Sequence, residues 1–225
     1  KLGIERCVKN MYLKSKSIED DHEEFKVRLM SYAYAVSEEN ASNGEVVTAP
    51  TLGACGILAA YMYMMYYDEG VSRRKLINAL AVGGLFGNVI KHNATISGAV
   101  GGCQAEIGAA CCMTAAAAAY LNDLNLKQIE YAAEIAMEHH LGLTCDPVGG
   151  YVIIPCIERN AVGVLRAVDA MTLSKYMSKI KENVVNFDTV VRTMKYTGQK
   201  LPLELKETSL GGLAQEVSIK GVDHD

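Results

Sequence analysis

KHNATISGAVGGCQAEIG (Lys91–Gly108) runs directly into AACCMTAAAAAYL (Ala109–Leu121), and the architecture of the chain turns on that junction. A glycine-broken loop gives way to an unbroken run of Ala and other apolar residues. Between His92 and Asn122 the one formal charge is Glu106. Such a run predicts a buried helix packed closely by its neighbours. At 15 residues, Ile107 to Leu121 is too short for the ~20 residues of a membrane span. A second loop-rich stretch, HHLGLTCDPVGGYVIIPCIERNA (His139–Ala161), closes the region. Cys103, Cys145 and Cys156 lie in or beside these two loops, where a thiol is not needed for packing.

The rest of the composition points the same way. Of the 225 residues, 50% are hydrophobic but only 7% aromatic, with no Trp, so Ala, Leu, Ile, Val and Met must fill the core. That favours packed helices over a sheet sandwich. The length suffices for a substantial core in one domain. A net charge of −4 and the lack of any basic stripe argue against a nucleic-acid partner. Val46 to Tyr67 is uncharged, but Pro50, Gly53 and Gly56 interrupt it, so no membrane span is expected there either. Seven cysteines, odd in number and irregular in spacing, do not form a secreted disulfide framework. A reducing cytoplasm is the expected setting. With Lys1 at the start and no secretory leader in view, the chain reads as a fragment or mature piece of something longer.

Residues 1–20 read as a connector or surface helix. Ser17 followed by Asp20 has the form of a capping box for a helix from about Asp20 to Glu39, with Phe25, Leu29, Tyr32, Ala33 and Val36 on one face. Thr48-Ala49-Pro50-Thr51 reads as the start of a central buried helix through Tyr67, whose Met and Tyr stripe fills core. Ser72 caps the next helix, through Leu76, Leu80 and Ile90. Gly83, Gly84 and Gly87 within it either weaken it or permit close contact. Further helices are predicted from Cys103 to Leu121 and from Leu126 to His140, the latter with Ile129, Ala133 and Ala136 inward and Lys127, Glu130 and Glu134 outward. Leu141 to Ile154 is a loop with room for a short extended piece at Tyr151 to Ile154. Pro155 opens a helix to about Tyr176, and another spans Phe187 to Tyr196. Residues 198–225 read as a weakly ordered tail. The predicted class is all-α: a single compact helical domain over residues 1–225, with Gly/Pro-rich loops converging on a metal-cluster site.

Cys103 and Cys156 each open a predicted helix, where free N–H groups and the dipole favour a thiolate. Cys145 sits in the Asp146-Pro147 turn, 42 residues after Cys103 and 11 before Cys156. Three thiolates without a fourth suit a cluster or metal with one open position, which a Lewis-acid catalyst requires. The spacing alone is equally compatible with inert buried thiols, because no C-x-x-C pair and no ferredoxin or zinc-ribbon spacing is present. Cys55, Cys111 and Cys112 fall within apolar helical runs and read as packing residues; Cys7 reads as incidental. His139 and His140 point about 100° apart on a helix and do not form a zinc pair. One of them serves as a base or, by preference, as a loop anchor. Glu106 reads as a buried carboxylate beside the site or as a cap of the preceding loop.

Several motifs together resemble the iron–sulfur L-serine dehydratases, in their α chain or the equivalent catalytic domain. They are Asn40-Ala41-Ser42, Ala49-Pro50-Thr51, Ser97 to Glu106, Leu141 to Gly150, Pro155 to Ala161, and Lys200-Leu201-Pro202 with Glu207-Thr208 to Gly212. The resemblance implies a [4Fe–4S] cluster held by Cys103, Cys145 and Cys156, with the fourth iron free for substrate. It implies substrate contacts at Thr51, Ser97, Gly98 and Arg159, and conversion of L-serine to pyruvate and ammonia. It identifies no catalytic base. It also implies a β subunit or β domain that contributes to the active site and is missing from this chain, and a homo- or hetero-oligomer. Family members often carry a further cysteine near the C-terminus, whereas Leu213 to Asp225 has none. Two rival readings are a cysteine desulfidase-like lyase with the same cluster and a non-catalytic zinc-binding subunit.

Overall fold

The computed structural model describes residues 5–217. Among them are ten α-helices and no strand, with one isolated parallel bridge between Cys145 and Lys206. The helices are α1 (Val8–Ser15), α2 (Asp21–Ala41), α3 (Cys55–Tyr67), α4 (Arg73–Asn93), α5 (Gly98–Gly101), α6 (Ile107–Leu121), α7 (Leu126–Glu138), α8 (Cys156–Met177), α9 (Phe187–Lys200) and α10 (Leu213–Glu216). No helix of the described residues is long and apolar enough to cross a membrane.

The alanine-rich run becomes the axis of the molecule. Every residue of α6 except Tyr120 is buried, and α3, α4, α7 and α8 all pack against it. Alanine keeps these approaches short. Gly83 of α4 faces α6 so closely that a Cβ there would lie 2.8 Å from the Met113 carbonyl oxygen, whereas Gly84 faces open space. Close contact therefore explains Gly83, and not Gly84. At 15 residues α6, apolar as it is, is too short to cross a membrane.

The centre of the core differs from the expectation in one respect: α3 is peripheral along its second half. Tyr61 and Met64 are buried, but Tyr63, Tyr66 and Tyr67 stand exposed, stacked on one another and on Tyr32. Tyrosine tolerates this because its ring packs while its hydroxyl stays wet. A second difference concerns Glu134, expected outward on α7. It is 1% exposed, and burial, with the charge of Glu138 next, pushes its carboxyl up to about 7. Helical spacing alone placed it on the solvent side and took no account of Asn183, which hydrogen-bonds to it from the segment after α8.

Caps follow the sequence in part. Ser72 and Asn186 accept from Lys75 N and Thr189 N, and Asn125 with Gln128 forms a full capping box. For α2 the cap is Asp20, which accepts from Glu23 N at 2.7 Å; the Ser17 hydroxyl instead donates to the Lys14 carbonyl. Residues 5–20 contain α1, whose start is fixed by Glu38: that buried carboxylate accepts from the N–H groups of Cys7 and Val8.

The tail is more ordered than its composition suggests. α9 continues to Lys200, and residues 201–217 form a strap with a short 3-10 turn (Leu203–Leu205) and α10. Residues 1–4 of the connector and 218–225 of the tail lie outside the described residues.

Candidate active site

The strap and the loops meet at Cys145. Its N–H donates to the Leu205 carbonyl, and its carbonyl accepts from Glu207 N. Asp146 accepts from Leu213 N at 2.7 Å and from the Thr144 hydroxyl at 3.2 Å. The Ser209 hydroxyl donates to the Pro147 carbonyl. Arg159, one turn into α8, donates to the Thr144 carbonyl at 2.7 Å and pairs with Asp146 at 3.6 Å. Backbone polar groups that no helix can satisfy thus find partners across 60 residues of sequence.

Cys103 approaches from the other side. It does not open α6: residues 103–105 form a separate 3-10 turn, Glu106 kinks the chain, and α6 starts at Ile107. The helix-terminus argument for its thiolate therefore fails, and a local one replaces it. The Cys145 thiol is hydrogen-bonded to Cys103 and draws its pKa below the usual thiol value, helped by the Arg159 guanidinium against the burial. The same shared proton, burial and the adjoining charge push Cys145 up. Cys156, at the first position of α8, is pushed up to about 12 by burial and by the charge of Cys103.

Glu106 completes the group. Its ligand oxygen and the sulfurs of Cys103 and Cys145 all lie within 4.8 Å of one another, and Cys156 is outside that circle. One Glu106 oxygen accepts from the Thr51 hydroxyl at 2.6 Å; the other faces the Cys145 sulfur at 3.7 Å. Burial raises its pKa, the Thr51 hydrogen bond opposes this, and Glu207 adds to the rise. Thr51 is consequently extended and caps nothing, so α3 starts only at Cys55, later than the Pro50 signal predicts.

The remaining expected substrate residues are nearby. Ser97 precedes α5 and its side chain makes no capping bond. Gly98 is buried, and a Cβ on it would sit 2.6 Å from Glu106 Oε2 and 3.1 Å from Glu207 Oε2. Two buried amides that the sequence did not single out hold this frame. The Gln104 side chain donates to the Gly101 and Met194 carbonyls and accepts from Gly142 N. Asn160 accepts from Gly56 N and donates to the Gly53 and Cys156 carbonyls. Neither lies on an apolar period, which is why pattern reading passes over them.

The histidines stand apart. His140 is buried, with Nδ1 2.6 Å from the Ala136 carbonyl and Nε2 3.6 Å from the Cys111 sulfur; His139 bonds to the Ile135 carbonyl. They anchor the end of α7. Cys55, Cys111 and Cys112 are buried in helices and burial raises all three thiols. The residues 151–155 segment is a turn, not an extended piece.

Comparison with known proteins gives the context of this geometry. A family model described as serine dehydratase alpha chain matches residues 3–214. The chain is 50% identical over 189 residues to L-serine dehydratase TdcG of Escherichia coli strain K12, covering 83% of this chain and 41% of that protein. It is 48% identical over 187 residues to an L-serine dehydratase of Streptomyces coelicolor, with the same coverage of 83% and 41%. The chain thus spans about two fifths of the length of the curated relatives it matches.

Proposed function

This chain belongs to the serine dehydratase alpha chain family, and from that membership we propose that it is the cluster-bearing part of an L-serine ammonia-lyase. The carrying observation is the buried group of Cys103, Cys145 and Glu106, with Cys156 and Arg159 close enough for their charges to interact with it. The donor set fits an iron–sulfur cluster: buried, soft sulfur donors suit iron and sulfide. Cys103, Cys145 and Cys156 would hold a [4Fe–4S] cluster. A bound cluster with one open iron supplies Lewis acidity toward a departing hydroxide.

This chain's own residues set the surroundings. Arg159 fixes the Cys145 loop through Thr144 and Asp146 and puts positive charge beside Cys103. Thr51 orients Glu106. Ser97, Gly98 and Arg159, with Thr51, form the substrate side of the site. L-Serine loses its α-proton and its hydroxyl group as water to give 2-aminoacrylate, which tautomerises and hydrolyses to pyruvate and ammonia. The remaining length of the relatives is consistent with a β portion that completes the active site, within an oligomer. Seven free cysteines suit a reducing cytoplasm.

The test is anaerobic purification together with the β portion, followed by iron, acid-labile sulfide and zinc analysis and an L-serine assay. About four irons and four sulfides with pyruvate formation are expected. Zinc in place of iron, or a full cluster without pyruvate formation, would overturn the reading.

A further inference from the structure

Three donors of the site stand closer together than a four-iron cluster requires. A Glu106 oxygen and the sulfurs of Cys103 and Cys145 all fall within 4.8 Å of one another, and Glu106 Oε2 is 3.7 Å from the Cys145 sulfur. A single tetrahedral ion, with metal–sulfur bonds of about 2.3 Å and a metal–oxygen bond of about 2.1 Å, sets a sulfur and an oxygen ligand about 3.6 Å apart. A cluster is held instead through thiolates, each on its own iron. Cys156, the third thiol assigned to the cluster, stands outside the group. The three donors are buried, and the Cys145 thiol is hydrogen-bonded to both Cys103 and Glu106. Glu106 is also braced as a ligand would be. Its Oε1 accepts from the Thr51 hydroxyl at 2.6 Å, which leaves Oε2 turned toward sulfur; ligating carboxylates are held by such outer hydrogen bonds. A Cβ on Gly98 would lie 2.6 Å from Oε2, so bare backbone there lets the carboxylate take this place.

We infer that, before any cluster is built, Cys103, Cys145 and Glu106 bind one divalent ion of the zinc class, with water as its fourth ligand. Two sulfurs and one carboxylate oxygen suit a borderline-soft dication that takes four ligands. Each sulfur binds as its thiolate, so the thiol proton now shared within the group leaves to solvent as the metal enters. The inference meets the serine-lyase reading at one point: the same two sulfurs serve both occupants. The single ion must therefore leave before a cluster forms, and zinc delays assembly.

The test uses the complete enzyme with its β portion, purified in air, stripped with a chelator and kept reduced. Titration with zinc, and with cobalt as a coloured substitute, should saturate at about one ion per chain, with the visible bands of tetrahedral cobalt. Cys103→Ser and Cys145→Ser should abolish binding. Glu106→Gln should weaken it at least about 10-fold, and Thr51→Val, which removes the hydrogen bond to Oε1, about 10-fold. Cys156→Ser should bind the ion as the parent does. Reconstitution with iron and sulfide should give the opposite ranking, with the cluster lost in Cys156→Ser and kept in Glu106→Gln. No bound ion, undiminished affinity in Glu106→Gln, or loss of the ion in Cys156→Ser would each overturn the assignment. A parent enzyme that takes up no zinc yet assembles a cluster and forms pyruvate would sink this inference alone. One that binds a single zinc but never assembles a cluster would uphold it and overturn the lyase reading.

Discussion

Cys111 and Cys112 on α6 are as deeply buried as Cys103 and Cys145 in the loops, yet the two regions treat a thiol in opposite ways. On α6 the thiols lie within a buried apolar helix, with only His140 and the Gly163 carbonyl as polar neighbours of Cys111, and burial is the main cause that pushes both up. In the loops one thiol is drawn down by a neighbour's proton and by a guanidinium, while its neighbours are driven up. Burial is common to both and identifies nothing. What marks the loops is unlike charge gathered where little water reaches.

The largest contrast should come from exchanging sulfur for oxygen in each region. Cys145→Ser, Cys103→Ser and Cys156→Ser should each abolish most bound iron, measured on anaerobically prepared protein. Cys111→Ser should keep its iron and lose about 1–3 kcal/mol of stability from placing a hydroxyl in an apolar contact. Iron retained in Cys145→Ser but lost in Cys111→Ser would reverse the roles assigned to the two regions.

A smaller effect is expected at Asp146, which joins the cysteine loop to the strap. Asp146→Ala leaves the Leu213 N–H without its partner, at a cost of about 1–3 kcal/mol. Hydrogen exchange should accelerate over residues 203–216 and not within α6. Uniform acceleration in both would show that loop and core open together as one unit.

The smallest effects belong to the core glycines. Gly83→Ala drives a methyl group against the Met113 carbonyl and should destabilise by about 1–3 kcal/mol. Gly84→Ala meets nothing within 4 Å and should stabilise by up to about 1 kcal/mol. Thermal melts that rank them the other way would mean that α4 and α6 are not in contact at Gly83.

The same contrast explains what the sequence disclosed. α6 was legible because apolar burial writes itself as composition, and every neighbouring helix inherits a period from it. The loop cysteines were legible as candidates because glycine and proline surround them. Thr51, Cys103 and the strap were misread as helix start, helix start and loose tail. In each, a side chain or backbone group bonds across the fold to a partner far away in sequence: Thr51 to Glu106, Cys103 to Cys145, Leu205 and Glu207 to Cys145. Such bonds leave no local period. Glu134 and Glu38 were missed for a related reason, since a buried carboxylate looks like any surface acid until its cover is known.

The bond between Asp146 and the Leu213 N–H spans 67 residues of chain. At about 5–20 residues per second of synthesis, Asp146 is made roughly 3–13 s before that partner exists. The helices around α6 have by then all been synthesised up to α8, while the segment bearing Cys145 still lacks both its flanking bonds. Over those seconds α8 and α9 are still being added to the core, and the thiol loop waits for partners made later than either.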